Sequence, residues 1–130
     1  MTSAEVDQHH AIEAACRALL ARAEGNQELV AGYRRLERAL LDHFDMEEKV
    51  MLPAYAEHAP RDAHAIRGEH ATLRRLLFRV GLEVELHALR PETLNYLIEM
   101  LCAHAAREDA GLYPWSTARA RALAALPECE

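Results

Sequence analysis

Cysteine is scarce in this chain and badly placed for any shared task. Cys16, Cys102 and Cys129 are odd in number and form no CxxC pair, which argues against a disulfide framework or a thiolate metal site and suits a reducing cytosol. Cys16 and Cys102 read as small core residues, Cys129 as a tail thiol. Runs of β-branched residues are missing too, so no segment competes as a strand. No apolar stretch approaches the roughly 20 residues of a membrane span, and the start, "MTSAEVDQHH", lacks the basic region and apolar core of an export signal. The expectation is a soluble, cytoplasmic protein. Positive charge is in deficit: 15 Lys and Arg against 21 Asp and Glu leave a net charge of -6. Binding to a phosphate backbone draws most of its energy from cations, so nucleic acid is excluded as a natural partner. The patches "YRRLER" and "LRRLLFR" are interleaved with apolar residues and read as solvated helix edges. Neither a glycine-rich phosphate loop nor a Ser/His/Asp or Cys/His grouping is visible.

What remains is a chain of 130 residues, 51% hydrophobic, with five Gly and five Pro. That size buries a core without staples and fits one domain. Apolar residues recur every three or four positions and Ala and Leu dominate, which is the helical signature. A first helix begins at Thr2, where Glu5 completes a capping box, and stops near Gly25. A second follows Asn26 and runs to about Pro53, which should end or kink it. A third opens at Pro60 and reaches roughly Leu89; a fourth opens at Pro91 and ends near Pro114. The predicted fold is all-α, an up-down-up-down antiparallel four-helix bundle over residues 1–116, with 117–130 a short helix or tail.

Two stretches share a skeleton. "HFDMEEKVMLP" starts at His43 and "HAAREDAGLYP" at His104; each has His, Glu four residues on, an acid next, and Pro ten after the His. At a fixed offset of 61, His9 falls on His70, His43 on His104, Glu47 on Glu108, Pro53 on Pro114, and Leu36 and Leu40 on Leu97 and Leu101, without a gap. The chain therefore behaves as two helix pairs, each presenting one His from its first helix and a His and Glu from its second.

Residues four apart on a helix share a face, so His43 with Glu47, and His104 with Glu108, can each grip a common site. Both pairs continue a leucine stripe and should point into the bundle. Burying four imidazoles and two carboxylates without partners costs several kcal/mol per ion. A metal pair removes that penalty. Imidazole and carboxylate suit iron, manganese or zinc better than calcium or magnesium, and paired ions about 3.5 to 4 Å apart can share a carboxylate. The expected ligand set is two iron ions bridged by Glu47 and Glu108 and completed by His9, His43, His70 and His104.

With "QHHAI" and "EHATL", these stretches resemble the hemerythrin-like, or HHE cation-binding, domain over roughly the first nine-tenths of the chain. The resemblance implies a four-helix bundle with a non-heme di-iron centre, oxo- or hydroxo-bridged, that binds oxygen, nitric oxide or peroxide. It implies a role in sensing, scavenging or iron handling. Two alternatives stand beside it: a di-iron enzyme reducing the same small molecules, and a partner-binding bundle with a structural metal. A sensing role would pass its output to a protein partner. One departure matters. The respiratory proteins carry two His spaced by four on the third helix, whereas Ile66 and Arg74 flank His70 here at that spacing. His10, Glu69, a Tyr or a water are candidates for the gap. His58, His64 and His87 have no partner in register and read as surface residues. Glu48 and Asp109 read as solvated groups or as supports for a neighbouring imidazole. Tyr113 and Trp115 read as packing residues.

Overall fold

The computed structural model describes residues 27–126, together with Ala14. The expected first helix, with His9, His10 and Cys16, and the Cys129 thiol lie outside the described residues. Every regular element among the described residues is helical. Helix α1 spans Gln27–Met46, a π-helical turn follows over Glu47–Met51, and α2 is Leu52–His58. The long α3 runs Pro60–Glu85, α4 Pro91–Ala110, and α5 Leu112–Ala124. None of these helices is long and apolar enough to cross a membrane.

The buried faces follow a seven-residue rhythm. On α3 it is Ala63, Ile66, His70, Leu73, Leu77, Val80 and Val84; on α4 it is Leu94, Leu97, Leu101, His104 and Glu108. Steps alternating between three and four keep one stripe facing its neighbours, which selects a shallow-angle bundle. Cross-links fix the chain directions. Arg34 on α1 meets Glu85 at 2.7 Å, and Asp45 near the other end of α1 meets Arg74 at 3.3 Å, so α1 and α3 are antiparallel. Glu83 meets Thr93 at 3.1 Å and Asp62 meets Arg107 at 3.0 Å, so α3 and α4 are antiparallel as well.

Proline shapes both ends of the site. Pro53 has no N–H to give, and in a regular helix its ring would strike the carbonyl four residues back. The regular α-helix ends at Met46, and helical structure continues through Pro53. It widens, so that the Leu52 N–H bonds to the Glu47 carbonyl five residues earlier, and Pro53 then falls in the first turn of α2. The extra residue resets the buried face from Glu47 to Met51, Leu52 and Tyr55. At the matching place in the second half the helix breaks instead, at Gly111. Pro114 then lies in the first turn of α5, where an N–H would lack a helical partner in any case. A side chain at Gly111 would stand 2.7 Å from the Tyr55 hydroxyl and 2.9 Å from Asp62, so a larger residue there would force those side-chain tips to shift.

Two expectations need correcting. The third helix ends at Glu85, not near Leu89. His87 adopts a positive φ of 54°, and its N–H bonds to Val84 while that of Ala88 bonds to Glu83. This is the bond pattern glycine usually closes at a helix end, made here by histidine, which left no sequence signal. Cys102 is exposed, not a core residue. It follows Leu101 by one position, about 100° around the helix from the buried stripe.

The interior has two apolar clusters among the described residues. One, built around Tyr33, Leu40, Leu77 and Leu97, fills the long helical barrel. The other, with Leu52, Tyr55, Ile66, Leu112 and Tyr113, closes the end where the π turn and α5 meet. Truncation of the fully buried Leu97 to alanine should cost about 2–5 kcal/mol of unfolding free energy. Cys102→Ser should stay within about 0.5 kcal/mol. Urea unfolding of both variants checks the placement, and comparable losses would contradict it.

Candidate metal centre

Between the two clusters lies a layer of charge. His43, Glu47, His70, His104 and Glu108 are the buried polar residues among those described, with Glu47, His70 and Glu108 wholly inaccessible. Glu47 sits at the first position of the π turn, one helical turn beyond His43, and Glu108 stands one turn beyond His104. Each pair closes on itself: His43 Nε2 lies 3.2 Å from Glu47 Oε1, and His104 Nε2 lies 3.2 Å from Glu108 Oε1. His70 joins the halves, with Nε2 3.3 Å from Glu47 and 3.8 Å from Glu108. Ligand atoms of Glu47, His70, His104 and Glu108 all fall within 4.8 Å of one another.

The imidazoles are aimed from behind. Glu48 takes the Nδ1 side of His70 at 2.6 Å and is held by Arg74 at 2.8 Å. Glu69 takes the Nδ1 side of His104 at 2.8 Å and is held by Arg107 at 2.6 Å. A carboxylate on Nδ1 fixes the ring and presents Nε2 to the centre, the arrangement that orients metal-binding histidines. Phe44 stacks on His70 at 4.5 Å and meets His104 edge-on at 5.9 Å, locking both rings. Several inward atoms then satisfy nothing: Glu47 Oε1, His70 Nε2 and His104 Nε2 are buried and make no hydrogen bond. Orphaned atoms of this kind are costly in an apolar interior. Three convergent donors of carboxylate and imidazole type fit a transition-metal ion, which would satisfy them together.

Of the six residues singled out from sequence, the fold brings five together: His43, Glu47, His70, His104 and Glu108. His9 lies outside the described residues. Glu48 proves to be a support for a neighbouring imidazole, while Asp109 is exposed. Glu69, a candidate for the extra ligand, is turned to the back of His104 instead. Ile66 is fully buried in apolar company, and Arg74 is engaged with Glu48 and Asp45, so neither replaces a second imidazole on α3. Sequence reasoning kept a Tyr among the candidates for the missing ligand but read Tyr113 itself as a packing residue. Its ring packs as expected, but its hydroxyl lies 2.9 Å from both His43 Nε2 and Glu47 Oε2. The available signal was a mismatch in the register, since the offset of 61 sets Tyr113 against Leu52.

The model of the hemerythrin HHE cation-binding domain matches residues 1–116. The chain belongs to that family. Neither the curated proteins nor the solved structures gave a match. Membership in an HHE cation-binding family and the buried His and Glu layer agree on a metal-binding role. In this member the buried His and Glu layer falls where the two halves of the chain meet.

The protons of the HHE site follow from its burial. Desolvation pushes the Glu47 carboxyl up to about 7, with Glu108 adding to the rise and His70 opposing it. Desolvation would lower His70, but the nearby carboxylates of Glu108, Glu47 and Glu48 outweigh it and carry the imidazole up to about 9. His104 is raised in the same way, burial opposing and Glu108 leading the rise. Burial also works against Glu48, yet Arg74 and His70 hold it below its ordinary value. Stripped of metal, the folded chain therefore holds more protons than the unfolded one, and its stability falls as pH rises. Glu47 contributes this loss from 4.5 to about 7 and His70 from 6.5 to about 9. The Glu48 contribution has the opposite sign, present above 4.5 and lost only in acid. Thermal melts of chelator-treated protein should show a lower midpoint at about pH 8.5 than at about pH 6. Metal requires neutral imidazole, so its stabilising effect should grow over the same range. A metal-stripped protein that becomes more stable with rising pH would contradict these charges.

Proposed function

We propose that this chain is a hemerythrin-like protein holding two non-heme irons, whose ligand is oxygen, nitric oxide or peroxide and whose role is sensing, scavenging or iron handling. The observation that carries the proposal is the convergence of Glu47, His70, His104 and Glu108 donor atoms within 4.8 Å in a wholly buried layer. Residues 2–25 would supply the fourth helix of the up-down-up-down bundle and, through His9, the counterpart of His70. Glu47 and Glu108 would bridge the ions, with His43 and His104 beside them. When bound, an iron pair supplies exchangeable coordination positions and a reversible change of oxidation state.

The chain's own residues prepare that chemistry. Glu48 and Glu69 hold imidazoles in place and raise their basicity, and Arg74 and Arg107 neutralise those carboxylates toward the surface. The apolar clusters above and below exclude water, which strengthens each interaction inside. Ile66 and Arg74, standing where a further imidazole would complete the respiratory pattern, favour turnover or sensing over faithful oxygen carriage. Enzymatic reduction of oxygen, peroxide or nitric oxide by the same centre is the second reading, favoured by that same departure.

Metal analysis of protein purified without an affinity tag should find about two irons per chain. His43→Ala and Glu108→Ala should each lose iron, while His64→Ala, on an exposed position of α3, should keep it. Iron retained in full by Glu108→Ala would refute the bridging role. Stopped-flow mixing of the ferrous protein with oxygen should end in oxidation to the ferric state. Oxygen bound and released repeatedly, with the iron still ferrous, would overturn the preference for turnover or sensing.

A further inference from the structure

Four tyrosines occur in the chain, and three are committed elsewhere. The Tyr33 hydroxyl donates to the Leu77 carbonyl, Tyr55 donates to Asp62 at 2.6 Å, and Tyr96 is half exposed on α4. Tyr113 is different. It is fully buried at the start of α5, and its oxygen lies 2.9 Å from His43 Nε2 and 2.9 Å from Glu47 Oε2, while His43 Nε2 is 3.2 Å from Glu47 Oε1. The phenol oxygen thus stands near 3 Å from an imidazole nitrogen and from one carboxylate oxygen, while the imidazole also faces the other oxygen of the same carboxylate. Donors about 2.1 Å from one cation and at right angles around it stand about 3.0 Å apart, so the two separations of 2.9 Å at the phenol oxygen are those of neighbouring donors in one ligand shell.

The architecture explains why only one half has this group. The break at Gly111 starts α5 early enough for Tyr113 to project back toward the π turn, whereas the register-related Leu52 offers only a hydrocarbon side chain to its cluster. Ile66, on the α3 face that lacks a second imidazole, packs in the same cluster as Tyr113. A donor absent from α3 is thus matched by one arriving from α5.

We propose that Tyr113 is a ligand of the centre, binding ferric iron through its phenolate oxygen on the cation shared with His43 and Glu47. The phenol O–H bond breaks as the oxygen–iron bond forms, and one proton leaves to solvent; no electron is transferred. A hard, anionic donor stabilises the ferric over the ferrous ion, which makes the two halves of the centre unequal and biases it toward oxidation. This assignment rests on the iron reading above.

Iron-loaded full-length protein, with iron content measured on the same sample, should show a visible phenolate-to-ferric charge-transfer band and tyrosinate ring vibrations in resonance Raman excited within it. Tyr113→Phe should lose both while keeping its iron, and its reduction potential should move upward. Tyr33→Phe, Tyr55→Phe and Tyr96→Phe should keep the band, so that the assignment stands by elimination even if Tyr113→Phe fails to fold. Full iron content with no band in the wild type, or a band that survives in Tyr113→Phe, overturns the ligand and leaves the iron reading intact. A wild type that takes up no iron overturns both.

Discussion

Two glutamates in the middle of a hydrocarbon interior set the terms for this structure. Glu47 and Glu108 are wholly inaccessible, and each faces imidazoles at 3.2 to 3.8 Å. The desolvation cost of a buried ion amounts to several kcal/mol even after relaxation, and partial pairing with neutral rings does not repay it. With no cation the layer survives by holding protons, which is why Glu47 and His70 both titrate high. A multiply charged ion would replace those protons and offer a partner to the orphaned inward atoms. The rest of the fold holds that layer in place: two apolar clusters confine it, and carboxylate–arginine pairs behind His70 and His104 stop the rings from turning away.

The two halves build the centre by similar means and then diverge. Each places His and Glu one turn apart at the end of a leucine-lined helix, and each follows with a proline that the helix must accommodate. The first half absorbs Pro53 by widening into a π turn, which puts Glu47 toward the centre and Glu48 toward α3. The second half breaks at Gly111, and the break brings Tyr113 back over His43. Near-symmetry in sequence thus produces an asymmetric site, because two local solutions to one steric problem aim different side chains at the buried layer.

Much of this is legible in the sequence. Helical periodicity fixed the long helices, and the ungapped offset singled out His43, Glu47, His70, His104 and Glu108, because ligand pairs four apart must share a face whatever the details of packing. Features that depend on one residue's backbone choice were not legible. His87 closes α3 in a conformation usually left to glycine, Pro53 was expected to end or kink its helix and instead widened it, and Cys102 was misplaced by a single step around α4. Tyr113 read as packing because the ring is apolar; where its hydroxyl points depends on the break at Gly111, which periodicity does not encode. The first helix and His9 lie outside the described residues, so the register alone speaks for them.

The central claim is that the buried carboxylates hold a pair of irons. Anomalous diffraction collected at the iron absorption edge, from crystals of protein purified without an affinity tag, tests it most directly. The account predicts two iron peaks in the layer, each within coordinating distance of Glu47 or Glu108 and of at least one imidazole Nε2. A layer without anomalous signal, in which Glu47 and Glu108 share protons with the histidines, would contradict it.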